Sequence, residues 1–193
     1  MIIGRTPEAD RPIITIDLDG VVCAPLFGLN LGIHDTFLDP DVPPPTARVW
    51  PRWLGAPLDP LRFDARRPLK DAKEALHRIA IHRTVVLLTG RRSAPSYWLR
   101  WYSLAEFYDD VVVNEGDLKS PHHKLEQVRR LGAVEHIDDD ARTAQLLAEE
   151  AGSTVYLRDW PRNRGVHLHE RVRRVPNLGA VADHIEATTN DPA

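Results

Sequence analysis

The stretch Ile13-Ile14-Thr15-Ile16-Asp17-Leu18-Asp19-Gly20-Val21-Val22 decides how this chain folds. Its first four residues are all β-branched and unbroken by a charge, which suits a strand covered on both faces. Two carboxylates at i and i+2 then straddle the strand end, and Gly20 lets the backbone turn away. In open α/β sheets ligands bind beyond the carboxyl ends of the strands, so Asp17 and Asp19 stand where chemistry is normally done. A calcium loop would need a helix ahead of it and a further acid or amide after Asp19. Here a strand precedes and Val21-Val22 follow.

Four similar runs follow, Thr84 to Leu88, Val111 to Val113, Val134 to Ile137 and Thr154 to Leu157. Segments of helical periodicity lie between them. Leu69 to Ala80 carries an apolar stripe with Lys70, Lys73 and Glu74 on the wet face, Lys124 to Leu131 ends at Gly132, and Ala141 to Ala151 is stopped by Gly152. Val181 to Ala187 closes the chain's last element. This alternation predicts an α/β domain with a mostly parallel, five-stranded sheet spanning residues 1–193.

One stretch, residues 23–67, breaks the rhythm. Pro25, Pro40, Pro43, Pro44, Pro45, Pro51, Pro57 and Pro60 are half of the chain's 16 prolines, a density that helix interiors and central strands do not tolerate. It reads as an irregular insertion pinned by Trp50, Trp53 and Phe63. Because it leaves after the first strand and returns before Leu69, both ends sit over the same sheet edge, as a partial lid would.

Composition narrows the partners. A content of 42% hydrophobic and 27% charged residues supports a packed core, and a formal net charge of −3 gives no general attraction for nucleic acid or anionic lipid. Any polyanion must be drawn by a local patch or a metal. The lone Cys23 rules out an internal disulfide. No apolar run approaches the roughly 18 residues of a membrane helix, and residues 1–12 lack a secretory h-region. A cytoplasmic protein without membrane contact is expected.

Three further motifs lie at element ends. Thr89-Gly90, after Val85-Val86-Leu87-Leu88, offers a hydroxyl and an unobstructed N–H for a phosphate oxygen. Asp138-Asp139-Asp140 places three mutually repelling carboxylates at a strand end, where a divalent cation would neutralise them; Asp140 also suits an N-cap for the helix from Ala141. Of the four lysines, Lys70 and Lys73 face solvent. Lys124, opening the helix that leads into the acidic strand, is preferred over Lys119 for a phosphate. His122-His123 and His167-x-His169 lack zinc-type partners and read as surface or strand-face residues.

In this order, Asp17-x-Asp19, Thr89, Lys124 and Asp138-Asp139 resemble the four motifs of the haloacid dehalogenase-like (HAD) hydrolase superfamily, over residues 11–157. The resemblance implies a three-layer Rossmann-like core with the first strand central and residues 23–67 as a small cap. It also implies Mg2+ held by Asp17, the backbone carbonyl of Asp19 and Asp139 or Asp138, with Asp139 preferred. Asp17 would be the nucleophile and Asp19 the general acid and base, while Thr89, Gly90 and Lys124 hold the phosphate. Asp19 argues against a dehalogenase, which has no leaving alkoxide to protonate.

The expected activity is therefore a phosphatase acting through an aspartyl-phosphate on a nucleotide or similar small phosphate ester. The segment 84–104 resembles nucleic-acid 3′-phosphatases. An alternative is thus a polynucleotide 3′-end phosphatase with Arg91, Arg92, Arg100, Arg158, Arg162 and Arg164 along a groove. Residues 156–164 resemble the aromatic-Pro-Asn segment of deoxyribonucleotidases, with one residue inserted between Pro161 and Asn163. A non-catalytic phosphate- or protein-binding module is the other alternative, and Trp50 or Trp53 would stack on a base or simply anchor the insertion. Oligomeric state leaves no trace in the sequence.

Overall fold

The computed structural model describes residues 11–24, 44 and 66–190. Most of the insertion, with Trp50, Trp53 and Phe63, lies outside the described residues, as does the side chain of Arg162. The elements are β1 (Ile13–Ile16), α1 (Ala72–His82), β2 (Thr84–Leu88), α2 (Ser96–Trp101), β3 (Asp110–Val112), α3 (Ser120–Leu131), β4 (Glu135–Asp138), α4 (Ala141–Glu150), β5 (Thr154–Arg158), β6 (Val172–Val175) and α5 (Leu178–Asn190).

All strand pairs are parallel, in the order β3-β2-β1-β4-β5-β6. The sheet is one strand wider than the expected five. Chain order runs outward from β1 in opposite directions, so the crevice between β1 and β4 is the switch point where such sheets place their ligands. Register sets the site: Ile16 lies opposite both Leu87 and Ile137, so Asp17, Thr89 and Asp138 leave the sheet at one edge.

Helices cover both faces. Leu76 and Ile79 of α1 and Val181 and Ile185 of α5 share one apolar cluster with Ile14, Ile16 and Leu87. Val128 of α3 and Ala144 and Leu147 of α4 build the other with Leu88 and Val155. The unbroken apolar character of β1, β2 and β5 follows from this double coverage.

One helix at the site starts earlier than the sequence expectation, and another starts where it is expected. The helix containing Lys124 begins at Ser120, with Pro121 in its first turn, where the missing N–H costs nothing. Lys124 therefore lies in the second turn. Asp140 is the N-cap of α4, accepting from Arg142 N–H at 3.1 Å and Thr143 Oγ1 at 2.7 Å.

The insertion's two ends are stitched together by backbone hydrogen bonds. Ala24 N–H donates to Arg67 O and Leu69 N–H to Val22 O, each at 2.9 Å. Within it, the Pro44 carbonyl lies 2.9 Å from His122 Nε2.

Candidate active site

Neighbouring parallel strands put same-parity residues side by side. Thr15 pairs with His136 across β1 and β4, and one step further Asp17 meets Asp138. Lys124 reaches in from α3 between the two acids: its Nζ is 2.7 Å from Asp138 Oδ2 and 3.2 Å from Asp17 Oδ1. All three side chains are buried.

Asp138 is saturated with donors. Besides Lys124, its Oδ2 accepts from His136 Nε2 at 2.9 Å, while Oδ1 accepts the backbone N–H of Asp139 at 2.8 Å and of Asp140 at 3.0 Å. Burial alone would raise its carboxyl; the Lys124 charge and the His136 contact outweigh that and hold it far below the ordinary carboxylate range. His136 Nδ1 lies 2.7 Å from Thr15 Oγ1. With Asp138 accepting from Nε2–H, the ring's Nδ1 accepts a hydrogen bond from the Thr15 hydroxyl. Burial lowers the pKa of this imidazole against the opposing pull of Asp138.

Asp139 approaches from the other side of the turn. A methyl group on Gly20 would fall 1.8 Å from Asp139 Oδ2, and Gly20 has φ +83°, so the position demands glycine twice over. Two residues beyond β5 hold this pair of turns: Trp160 Nε1 donates to Gly20 O at 3.0 Å, and Asn163 Nδ2 to Asp139 O at 2.9 Å.

Asp17, Asp138 and Asp139 each offer a carboxylate oxygen, all within 4.8 Å of one another. Hard oxygen donors in a buried acidic cluster fit a divalent cation such as Mg2+. Asp138 carries four donors, Lys124 among them, and Lys124 also reaches Asp17. Burial, with Asp138, Asp19 and Asp139 adding repulsion, pushes the Asp17 carboxyl well above its ordinary value against the pull of Lys124.

Asp19 stands apart from that cluster. Arg91 donates through Nε to its Oδ2 at 2.9 Å and through Nη2 to Oδ1 at 2.8 Å, and Arg66 Nη1 donates to Oδ1 at 2.9 Å. Burial raises this carboxyl, but the Arg91 bonds and the two arginine charges outweigh it, leaving the pKa below the usual value. The Cys23 thiol touches the same oxygen at 3.4 Å, and burial pushes that thiol well up.

At the end of β2, Thr89 Oγ1 accepts the Arg91 backbone N–H at 3.2 Å. Gly90 is packed against α3, where a methyl group would lie 2.5 Å from Ser120 Oγ. Lys119 makes no contact with the acids among the described residues, whereas Lys124 makes two.

Several sequence expectations change here. Arg91 and Arg92 are buried, Arg91 on Asp19 and Arg92 Nη1 on Asn114 O at 2.9 Å, and so do not line an open groove. His123 is buried rather than at the surface. The contributions of Arg66, His136, Trp160 and Asn163 were not foreseen. His136 has a local signal in its i−2 spacing from Asp138, and Trp160 and Asn163 have one in the aromatic-Pro-Asn segment, whereas Arg66 has none.

No family model matches the sequence, and no curated protein matches it. Solved structures do. D,D-heptose 1,7-bisphosphate phosphatase from B. bronchiseptica, complexed with magnesium and phosphate, superposes with TM-score 0.57 at 17% identity, covering 91% of this chain and 98% of that one. A HAD-superfamily hydrolase of subfamily IA from Geobacter sulfurreducens gives 0.56 at 14%, covering 91% and 96%. A HAD phosphatase from Thermococcus onnurineus gives 0.56 at 14%, covering 90% and 97%. At these identities the likeness establishes the fold, which is that of the HAD-superfamily hydrolases.

Proposed function

We propose that this chain is a Mg2+-dependent phosphomonoesterase that works through an aspartyl-phosphate on Asp17, with a nucleotide or similar small phosphate ester as substrate. The observation that carries this reading is the buried group of Asp17, Lys124, Asp138 and Asp139 with Asp19 two residues beyond the nucleophile.

Asp17 Oδ attacks phosphorus and the P–O bond to the leaving alcohol breaks, with Asp19, in the protonated form that Arg91 and Arg66 disfavour, delivering its proton to the departing oxygen. Asp19 then takes a proton from water, whose oxygen attacks phosphorus, breaks the bond to Asp17 and releases phosphate. Of the three Lys124 N–H groups, two face Asp138 and Asp17, and the third serves a phosphoryl oxygen. The Thr89 hydroxyl, held by Arg91 N–H, donates its own proton to another. Asp17, Asp139 and the Asp19 backbone carbonyl would hold a divalent cation, which would supply the charge neutralisation that lets a carboxylate approach a phosphate dianion. Residues 23–67 serve as a small cap within a single domain, a role supported by the stitching of residues 22–24 to 67–69 at this edge.

The inward turn of Arg91 and Arg92 weighs against a polynucleotide end as substrate, and the retained Asp17/Asp19 pair weighs against a non-catalytic module. A screen of p-nitrophenyl phosphate, nucleoside monophosphates, sugar phosphates and 3′-phosphorylated oligonucleotides, with Mg2+ and with EDTA, tests the reading. Mg2+-dependent release of phosphate from small esters is expected; inertness toward all of them, or full activity in EDTA, contradicts it.

A further inference from the structure

Asp19, the acid that the proposed chemistry needs to aim at a leaving group, is held by two arginines. Arg91 grips both oxygens of Asp19 with its planar fork, and Arg66 adds a third contact on Oδ1. The two arginines come from separate places. Arg91 belongs to the turn after β2, and its backbone N–H rests on the Thr89 hydroxyl. Arg66 lies at the return end of the insertion, its carbonyl accepting from Trp98 Nε1 of α2 at 2.7 Å. Arg91 is only 5% exposed, so this guanidinium has given up its hydration where it holds the Asp19 carboxylate.

A two-point fork differs from a point charge in what it fixes. A lysine would hold the charge of Asp19 but leave its plane free to rotate, whereas the Arg91 fork sets that plane. Proton delivery to a leaving oxygen depends on such alignment, and misplacement by about an ångström is enough to lose much of the rate.

We infer that Arg91 is a positioning residue for Asp19, with Arg66 as its support from the insertion, and that the pair governs how well poor leaving groups are expelled. This rests on the phosphatase reading above. Because the same turn also holds Thr89, the grip on the phosphoryl oxygen and the aim of the acid are set by one short segment.

The experiment compares p-nitrophenyl phosphate, whose leaving group needs little protonation, with glycerol 2-phosphate, whose leaving group needs it, under saturating Mg2+. Arg91→Ala should lose at least about tenfold more kcat/KM on glycerol 2-phosphate than on p-nitrophenyl phosphate, with Arg91→Lys between it and wild type. Arg66→Ala, which leaves the core untouched, should show the same bias more weakly. In an Asp19→Asn background, Arg91→Ala should cost less than about threefold further, because its effect runs through Asp19. Equal loss on both esters, or a full additional loss in the double variant, overturns the inference while leaving the phosphatase reading standing. A wild-type protein inert on both esters overturns that reading instead. The clamp is then judged from thermal unfolding of the metal-free protein. There an Arg91–Asp19 coupling of at least about fivefold in the unfolding constant is expected, and simple additivity overturns it.

Discussion

Lys124 Nζ bridges two buried carboxylates, 2.7 Å from Asp138 Oδ2 and 3.2 Å from Asp17 Oδ1. Burial alone would lower its pKa, but Asp138 and Asp17 more than reverse this and raise it, so the ammonium stays charged. Removing it strands two acids in the interior. Lys124→Ala should cost about 3–5 kcal/mol of stability in the metal-free protein as well as lowering kcat and raising KM. Lys119→Ala should stay within about 0.5 kcal/mol. Denaturant titration with steady-state kinetics checks this, and the reverse ranking would assign the phosphate-binding lysine to Lys119.

The division of labour between the two adjacent acids is separately testable. Asp139→Asn should weaken Mg2+ binding by about tenfold or more with little loss of stability, since Asp139 faces the turn at Gly20. Asp138→Asn should instead destabilise the fold by roughly 3 kcal/mol, since Lys124 and His136 lose their common acceptor. Calorimetric Mg2+ titration and melting curves on both variants decide it. Equal metal loss in the two would make Asp138 a ligand.

Metal binding should be linked to pH through Asp17. Burial and the neighbouring carboxylates raise its folded-state pKa, so below that value a proton occupies the group that the cation needs. Affinity should therefore weaken as pH falls from neutral toward that value, with proton release on binding. In the metal-free protein the same raised pKa favours the folded state at low pH, and that contribution is lost as pH rises through the folded value. Mg2+ stabilisation should accordingly be larger at the higher pH. A Kd independent of pH across this range would mean that Asp17 is ionised throughout.

His123 gives a second pH dependence of opposite sign. Burial, then Lys124 and other cations, lower it from 6.5 to about 4. Between those values the unfolded chain binds a proton that the folded chain refuses, so stability falls as pH drops. The stability of wild type relative to His123→Gln should decline by about 1–2 kcal/mol from neutral pH to about pH 4, allowing for solvent screening. A constant difference would place His123 in contact with water.

Much of the site was legible in sequence because each motif ends a β-branched run or belongs to a helix entering the same edge. Pro121-His122-His123 reads poorly as helix, which hides the true start at Ser120 ahead of Lys124, whereas proline in the first turn is free of cost. β6 escaped notice because Val172-Arg173-Arg174-Val175 puts two exposed arginines in an edge strand. α2 is a single short helix of aromatic residues, with no stripe long enough to show periodicity. Which of Asp138 and Asp139 meets a metal depends on where Lys124 and His136 point, and the buried direction of Arg91 depends on Asp19. Neither is a property of local sequence.

The account stands on Asp17 as the nucleophile, and trapping the covalent intermediate tests this most directly. Wild-type protein mixed with excess p-nitrophenyl phosphate and Mg2+, acid-quenched during turnover and reduced with borohydride, should show Asp17 converted to homoserine by peptide mass spectrometry. Controls without substrate, and Asp17→Asn with substrate, should show none. Continued phosphate release with Asp17 unmodified, or conversion at another residue, would contradict the assignment.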